Sequence, residues 1–163
     1  MRTRLLLVLI VTVTAAAQTR LTSENVSVTA PPGWRQLTRA ELGNATPQPL
    51  VALVRNDRAS FQIVKAKLPQ PDWKPKEIAA ASMALLLLDM KNGEVETPLH
   101  DTTLAAAPAA EWTATYTIAK RGDGRARVIA VVSGDSYYTI VASGPAAARG
   151  ELDAIVESIV IAR

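Results

Sequence analysis

Three consecutive stretches in the second half of the chain carry the residue patterns of β-strands. From Trp112 to Ile118 every second residue is apolar and the residues between them are threonines, so one strand face is expected to be packed and the other wet. Residues 128–132 are an unbroken apolar run that suits a central strand, and residues 137–142 form the third stretch. Glycine and aspartate between the stretches favour tight turns. The sequence therefore predicts an antiparallel meander.

Two segments are predicted to be helices. The first begins at Pro75 and ends before Asn92-Gly93, and its run Leu85–Leu88 points apolar side chains in almost every direction. We therefore expect most of this helix to be buried, although it is shorter than the roughly 20 residues that a membrane span needs. The second begins at Gly144-Pro145. Its apolar residues recur at helical spacing: Leu152, Ile155, Val156, Ile159 and Val160.

Strands are also expected before the first helix, at Val26–Thr29, at residues 50–54 and at residues 60–68, with the polar loop Asn56-Asp57-Arg58 between the last two. The last stretch changes its apolar phase partway, which indicates a bulge or a change of covered face. Strands, helix, strands and helix follow one another along the chain. This order predicts an α+β fold: a twisted, mostly antiparallel sheet with a mid-chain helix and a C-terminal helix packed on it, like an α/β/α sandwich.

The N-terminal segment has the layout of a secretory signal peptide. Arg2 and Arg4 precede an apolar run from Leu5 to Val13, and the small residues Ala15 and Ala17 stand where signal peptidase reads the chain. We therefore expect cleavage after Ala17.

This prediction divides the chain into a signal peptide over residues 1–17 and a single domain over residues 18–163. The chain has no cysteine, so it offers no disulfide and no thiol for lipid attachment. The expected product is a soluble protein in the periplasm or outside the cell, without a stable membrane span. Two of the three net positive charges belong to the signal peptide, so a nucleic-acid partner is not expected.

Few residues of the sequence indicate a catalytic site. His100 is the only histidine, and at about 3.3 Å per residue an extended chain separates it from Glu96 by roughly 13 Å, too far to share an ion. We interpret the segment that contains Glu96 and His100 as a solvated edge strand. The sequence thus predicts no enzyme, no cofactor and no metal site, although a hydrolase that uses Glu96 and Asp101 beside His100 stays open as an alternative.

Two tryptophans lie on loops that proline stiffens. Trp34 follows Pro-Pro-Gly, and Trp73 lies between Pro71 and Pro75. Loop aromatics commonly anchor partners, so Trp34 and Trp73 are candidate contacts to another protein. The competing interpretation is that both cap the ends of the core, because tryptophan is buried on average.

The order of these pieces resembles the PsbP/DcrB-like superfamily of exported or membrane-linked proteins. The segments that carry the resemblance are the opening strand and turn Val26–Trp34, the mid-chain helix, the strand Ala109–Tyr116, the strand Ser136–Ile140 and the closing Leu152–Ile159. The resemblance implies a twisted antiparallel sheet between helices. It also implies an accessory protein that docks on larger assemblies and does not catalyse a reaction.

One function is therefore expected, and one alternative to it is kept beside the hydrolase considered above. The expected function is that of a non-catalytic accessory or protein-interaction module of the cell envelope, whose partner is another envelope protein. The alternative is a carrier of a small apolar ligand, held between the Leu85–Leu88 helix and the sheet. The sequence leaves the partner's identity and the oligomeric state open.

Overall fold

The computed structural model describes residues 17–55, 59–118 and 122–162. Residues 1–16 of the predicted signal peptide, Ala15 among them, and the predicted loop Asn56-Asp57-Arg58 lie outside the described residues.

The described chain alternates strands with three α-helices and one short 3₁₀ turn. The strands are β1 (Thr19–Ser23), β2 (Val26–Ala30), β3 (Arg35–Gln36), β4 (Pro49–Arg55), β5 (Ala59–Lys67), β6 (Glu94–Leu104), β7 (Ala107–Ile118), β8 (Gly122–Ser133), β9 (Ser136–Pro145) and β10 (Val160–Ile161). The helices are α1 (Arg39–Leu42), α2 (Pro75–Asp89) and α3 (Arg149–Glu157), and the 3₁₀ turn is Ala146–Ala148.

The strands form two sheets. Seven of them pair antiparallel in the order β3-β4-β5-β9-β8-β7-β6, and a smaller sheet has the order β1-β2-β10. The predicted meander is confirmed, because β7, β8 and β9 are neighbours joined in sequence. Trp112 lies opposite Val128, and Val128 lies opposite Val141.

Both faces of the large sheet are covered. On one face α2 packs through Ile78 and Ala79 onto a cluster that includes Trp112 and Val128. On the other face α3 and the small sheet enclose the larger cluster. Its members come from both layers and include Val26, Phe61, Tyr138, Ile140, Leu152 and Ile155. The predicted fold class, an antiparallel sheet with the mid-chain and C-terminal helices packed on it, is confirmed.

The expectation that α2 is mostly buried is wrong. Only Ile78 and Ala79 of this helix are fully buried, whereas Leu85 is 68 % and Leu88 84 % exposed. The reason is geometric: the helix lies on the outside of one sheet face, so only one of its sides can contact the sheet. The run Leu85–Leu88 has apolar side chains on every side of the helix, so some of these leucines are left in the solvent.

The predicted C-terminal helix is too long. The helix ends at Glu157, and the N–H of Ser158 donates to the carbonyls of Ala154 (3.1 Å) and Ile155 (3.2 Å). The chain then enters β10, which pairs with β2. Ile159 is buried and Val160 is exposed, the alternation of a strand, because an unpaired edge of β2 was available to satisfy the backbone.

The uniformly wet threonine face predicted for the strand after Trp112 is also wrong at one position. Thr115 is exposed, but Thr113 is buried and its hydroxyl donates to Glu96 Oε2 at 3.0 Å. The centre of β7 is covered on both faces, so the alternation of polar and apolar residues does not mark a solvent face there.

Arg127 on β8 fastens α3 to the large sheet. Its guanidinium donates twice to Glu111 on β7, from Nε at 2.8 Å and Nη2 at 3.0 Å, and from Nη1 to Asp153 of α3 at 3.0 Å. The Arg127 side chain is only 23 % exposed. Removal of Arg127, Glu111 or Asp153 therefore leaves the remaining charged groups with little water to replace the lost hydrogen bonds.

We expect Arg127→Ala to lower the free energy of unfolding by about 2–3 kcal/mol, because it leaves the carboxylate of Glu111, whose side chain is only 13 % exposed, without its partner and leaves Asp153 with Arg149 alone. Urea denaturation measures the loss. Arg149→Ala is the matched control: Arg149 is 58 % exposed and lies 3.8 Å from the same Asp153, so its loss should stay within about 0.5 kcal/mol. Equal small losses for both variants would contradict the role of Arg127.

Candidate binding groove

A groove of about 300 Å³ opens between α2 and the part of the large sheet that the helix leaves uncovered. Its floor is formed by Val64 of β5 together with Thr139 and Val141 of β9. The helix contributes one wall through Leu85 and Leu86. The groove exists because α2 lies over β6 to β9, whereas the sheet continues past β9 to β5.

The outer rim is built by prolines and an aromatic side chain. Pro47, Pro69 and Trp73 line the groove on the side away from the sheet centre. The N–H of Trp73 donates to the carbonyl of Gln70 at 3.2 Å, which closes a turn and holds the half-buried indole at the rim. The sequence prediction of Trp73 as a loop aromatic is consistent with this position.

The start of α2 is set by its own capping group. Pro75 occupies the first turn, where a missing N–H costs nothing, and the N–H of Lys74 donates to Glu77 Oε2 at 2.9 Å. The following helix therefore begins directly after the Trp73 turn. The local sequence from Trp73 to Glu77 thus positions both the rim of the groove and its helix wall.

The groove is apolar and uncharged. Among its lining residues none is an aspartate, glutamate, lysine, arginine or histidine. Its polar groups are Gln62, Ser82, Tyr137 and Thr139, and the Ser82 hydroxyl donates to the carbonyl of Ala79 at 2.8 Å within the helix. A surface of this kind accepts apolar groups and offers a few hydrogen-bonding atoms to orient them.

The sequence located the groove only in part. The predicted pocket between the Leu85–Leu88 helix and the sheet is present, but Val64 and Gln62 were not identified as its floor. The signal was the change of apolar phase in β5, because Phe61 and Ile63 face the larger core whereas Val64 faces the groove. The phase change is therefore a change of covered face. The register shift lies in the neighbouring strand β4, between Pro49 and Val51.

Trp34 lies elsewhere and is used internally. It is 9 % exposed and belongs to the larger core cluster. Its indole N–H donates to Glu151 Oε2 of α3 at 2.6 Å, and Arg55, ion-paired with the same carboxylate, lies 5.9 Å from the ring centroid. The structure therefore places Trp34 as a cap on the core, and it leaves little of this side chain for a partner.

The residues of the hydrolase alternative do not converge. His100 lies on the exposed edge strand β6, and its Nδ1 is 3.0 Å from the carbonyl oxygen of Pro98. Glu96 pairs with Arg125, and Asp101 lies 3.5 Å from Lys76. Within residues 17–55, 59–118 and 122–162, no group of three or more histidine, aspartate or glutamate side chains is placed to hold a metal ion.

Glu96 is instead a structural carboxylate. The hydrogen bond from Arg125, followed by that from the Thr113 hydroxyl, lowers the pKa of Glu96 below its usual 4.5. A group whose pKa is lower in the folded chain contributes stability above its unfolded pKa and loses that contribution as the pH falls through the folded value.

We therefore expect Glu96→Gln to destabilise the protein at neutral pH and to close the gap with the unsubstituted protein as the pH falls below about 4.5. Urea denaturation across this pH range measures the effect. Arg125→Gln removes the same pair, so the double variant should cost much less than the sum of the single losses. Additive losses would show that the pair does not act as a unit.

A second, larger cavity of about 540 Å³ lies near the turn between β8 and β9. Several of its polar side chains have partners: Asn25 and Tyr138 exchange hydrogen bonds of 2.9 and 3.0 Å, and Lys65 pairs at 2.8 Å with Glu24, which is not part of the lining. Because these groups already have partners, the α2 groove is the better candidate site.

Comparisons with known proteins support the fold and leave the activity open. The chain is similar in structure to cyanobacterial PsbP (CyanoP) from Synechocystis sp. PCC 6803, with a TM-score of 0.68, 10 % identity and coverage of 92 % of this chain and 95 % of that one. It is also similar to LpqN of Mycobacterium tuberculosis, described as involved in cell envelope biogenesis, with a TM-score of 0.61, 13 % identity and coverage of 90 % and 91 %.

No family model and no curated protein matches the chain in sequence. The structural likeness over nine tenths of the chain nevertheless shows a PsbP-like fold, as the sequence resemblance predicted. At these identities it is the fold that is shared. Among the described helices, none is long and apolar enough to cross a membrane.

Proposed function

We propose that this protein is a non-catalytic binding module of the cell envelope, which holds a small apolar ligand in the α2 groove. The observation that carries the proposal is the groove itself: about 300 Å³, at the lower end of the range of ligand sites, with an apolar lining and no charged side chain. The dispersed positions of Glu96, His100 and Asp101 favour binding over hydrolysis.

The lining determines which ligands fit. Val64, Val141 and Leu86 offer dispersion contacts, and the Trp73 ring can cover one end of a bound group. Gln62 and Thr139 supply a small number of polar atoms on the floor. A neutral ligand with one hydrogen-bonding group therefore fits better than an ion, because a charge would be desolvated without a counter-charge.

Binding of N-phenyl-1-naphthylamine, a neutral dye that fluoresces in apolar surroundings, tests this proposal. Thr139→Phe fills the floor of the groove with an aromatic ring that a strand accepts, so we expect dye affinity to fall by about tenfold or more, equivalent to at least about 1.4 kcal/mol. Fluorescence titration measures the affinity.

Thr103→Phe is the matched control, since Thr103 is an exposed strand threonine on β6, at the far edge of the sheet from β5. This variant should bind the dye as the unsubstituted protein does. Absence of dye binding in the unsubstituted protein, or equal affinity in both variants, would contradict a ligand site in the groove.

Docking on another envelope protein is the second candidate function. The fold that this chain shares with CyanoP and LpqN, each covered over more than nine tenths of its length, supports an accessory role. Trp73 is the contact residue that this role would use, because its ring is half-buried at an open rim whereas Trp34 is committed to the core. The proposed place of action is the periplasm or the cell exterior.

Crosslinking in cell extracts, followed by mass spectrometry of the captured chain, tests the partner and the location together. We expect the recovered chain to begin at Gln18, and Trp73→Ala to reduce capture of an envelope protein about tenfold or more, as loss of an aromatic anchor does. Trp34→Ala should act differently, by lowering stability. Retention of residues 1–17, or capture that Trp73→Ala leaves unchanged, would contradict this candidate function.

A further inference from the structure

The outer side of α2 turns an apolar surface to the solvent. Its exposed positions come in pairs that recur every four residues, at 76–77, 80–81, 84–85 and 88–89, and the positions between the pairs are buried or half-buried. The two middle pairs consist of alanines and a leucine, and Leu88 of the last pair is 84 % exposed. We call these four exposed pairs the α2 ridge.

Side chains spaced four residues apart form a row along the surface of a helix. Such a row can pack into the space between the corresponding rows of a second helix. Packing of two such rows gives a crossing angle near −50° and an axial separation of about 8–10 Å, the commonest class of helix contact. The small side chains of Ala80, Ala81 and Ala84 at the middle of the ridge permit this close approach.

The α2 ridge is complementary to itself. Its exposed pairs are placed symmetrically about the midpoint between Ser82 and Met83. A two-fold axis through this point sets Ala80 opposite Leu85 of the partner subunit, and Ala81 opposite Ala84 of the partner subunit. Leu85 of each copy thereby meets the small Ala80 of the other, and this contact occurs twice about the axis, as a contact between identical surfaces requires.

The charges at the ends of the ridge agree with this orientation. The same axis brings Lys76 towards Asp89 of the partner subunit at both ends of the contact. Lys76 is 52 % exposed and only loosely paired, 3.5 Å from Asp101. A parallel arrangement would instead place like charges together, which is unfavourable.

Glu77 does not oppose the contact, although it faces Leu88 of the partner subunit. Its carboxylate accepts the backbone N–H of Lys74 at 2.9 Å, so the charge is engaged at the start of the helix. The methylene groups of Glu77 can then cover the leucine.

From the symmetry of exposed positions and the opposite charges at its ends, we infer that the α2 ridge binds a second copy of this chain in an antiparallel helix contact. One helix face is small compared with the roughly 800 Å² per partner of a stable complex, so the dimer is weak and dissociates on dilution. The dimer contact does not require a bound ligand, because the floor of the groove lies on the sheet. Leu85 and Ala81 belong both to the α2 ridge and to the lining of the groove, so the proposed contact lies beside the groove.

Sedimentation equilibrium of the purified protein over a wide concentration range tests the inference. We expect a reversible monomer–dimer equilibrium, weakened about tenfold or more by Leu88→Asp. Val160→Asp is the matched control, because Val160 is also an exposed apolar residue, 50 % exposed on β10, and should leave the equilibrium unchanged.

Charge reversal separates the proposed contact from non-specific association. Lys76→Glu and Asp89→Lys should each weaken the dimer, and the double variant should restore it. A purely apolar association would not respond in this way. These variants change only exposed side chains, so they test the contact even where Leu88→Asp fails to fold.

Cysteine substitution tests the orientation against a background without cysteine. A variant with Ala81→Cys and Ala84→Cys should form a covalent dimer on mild oxidation. Lys76→Cys should not, because an antiparallel contact keeps the two substituted positions roughly 20 Å apart along the helix axis. A monomer at all concentrations, crosslinking through Lys76→Cys, or a monomer that captures a different protein through Leu88 would overturn the inference.

Discussion

The structure depends on burial of the central strands on both faces. Along β8 successive residues face opposite cores: Val128 packs under α2, and Ile129 belongs to the cluster under α3 and the small sheet. A sheet with apolar residues on both faces must be covered twice. The covering layers differ in width, and the single helix α2 cannot span seven strands. The groove over β5 and β9 is a consequence of this mismatch.

The opposite face is covered more completely because α3 and the small sheet share it. The chain after α3 returns as β10 and pairs with β2, so that Ile159 and Ile161 are buried beside the helix. Where α3 contacts polar residues of the sheet, the guanidinium of Arg127 donates hydrogen bonds to the carboxylates of both Glu111 and Asp153. On this face Arg127 is paired with Glu111 and Asp153 and β10 is paired with β2, whereas the α2 face exposes the apolar side chains of Leu85 and Leu88. Binding is therefore expected on the α2 face.

Local patterns predicted the meander, the start of α2 and the fold class, because each follows from side-chain spacing along a few residues. The two loop tryptophans had similar sequence surroundings and received the same prediction. They differ in the structure because Glu151 of α3 accepts the indole N–H of Trp34, whereas Trp73 stays at an open rim. The distinction depends on a residue more than one hundred positions away, which no local pattern contains.

The sequence by itself determined which segments form strands, the position of the mid-chain helix and the absence of disulfides, because the chain has no cysteine. Only the tertiary structure decided which sides of those elements would be covered. Leu85–Leu88 is apolar all round, and its spacing cannot reveal that the sheet contacts one side alone. Burial depends on what packs against a segment, and that is settled when elements distant in sequence meet. Both the groove and the α2 ridge arise because the sheet contacts only one side of α2.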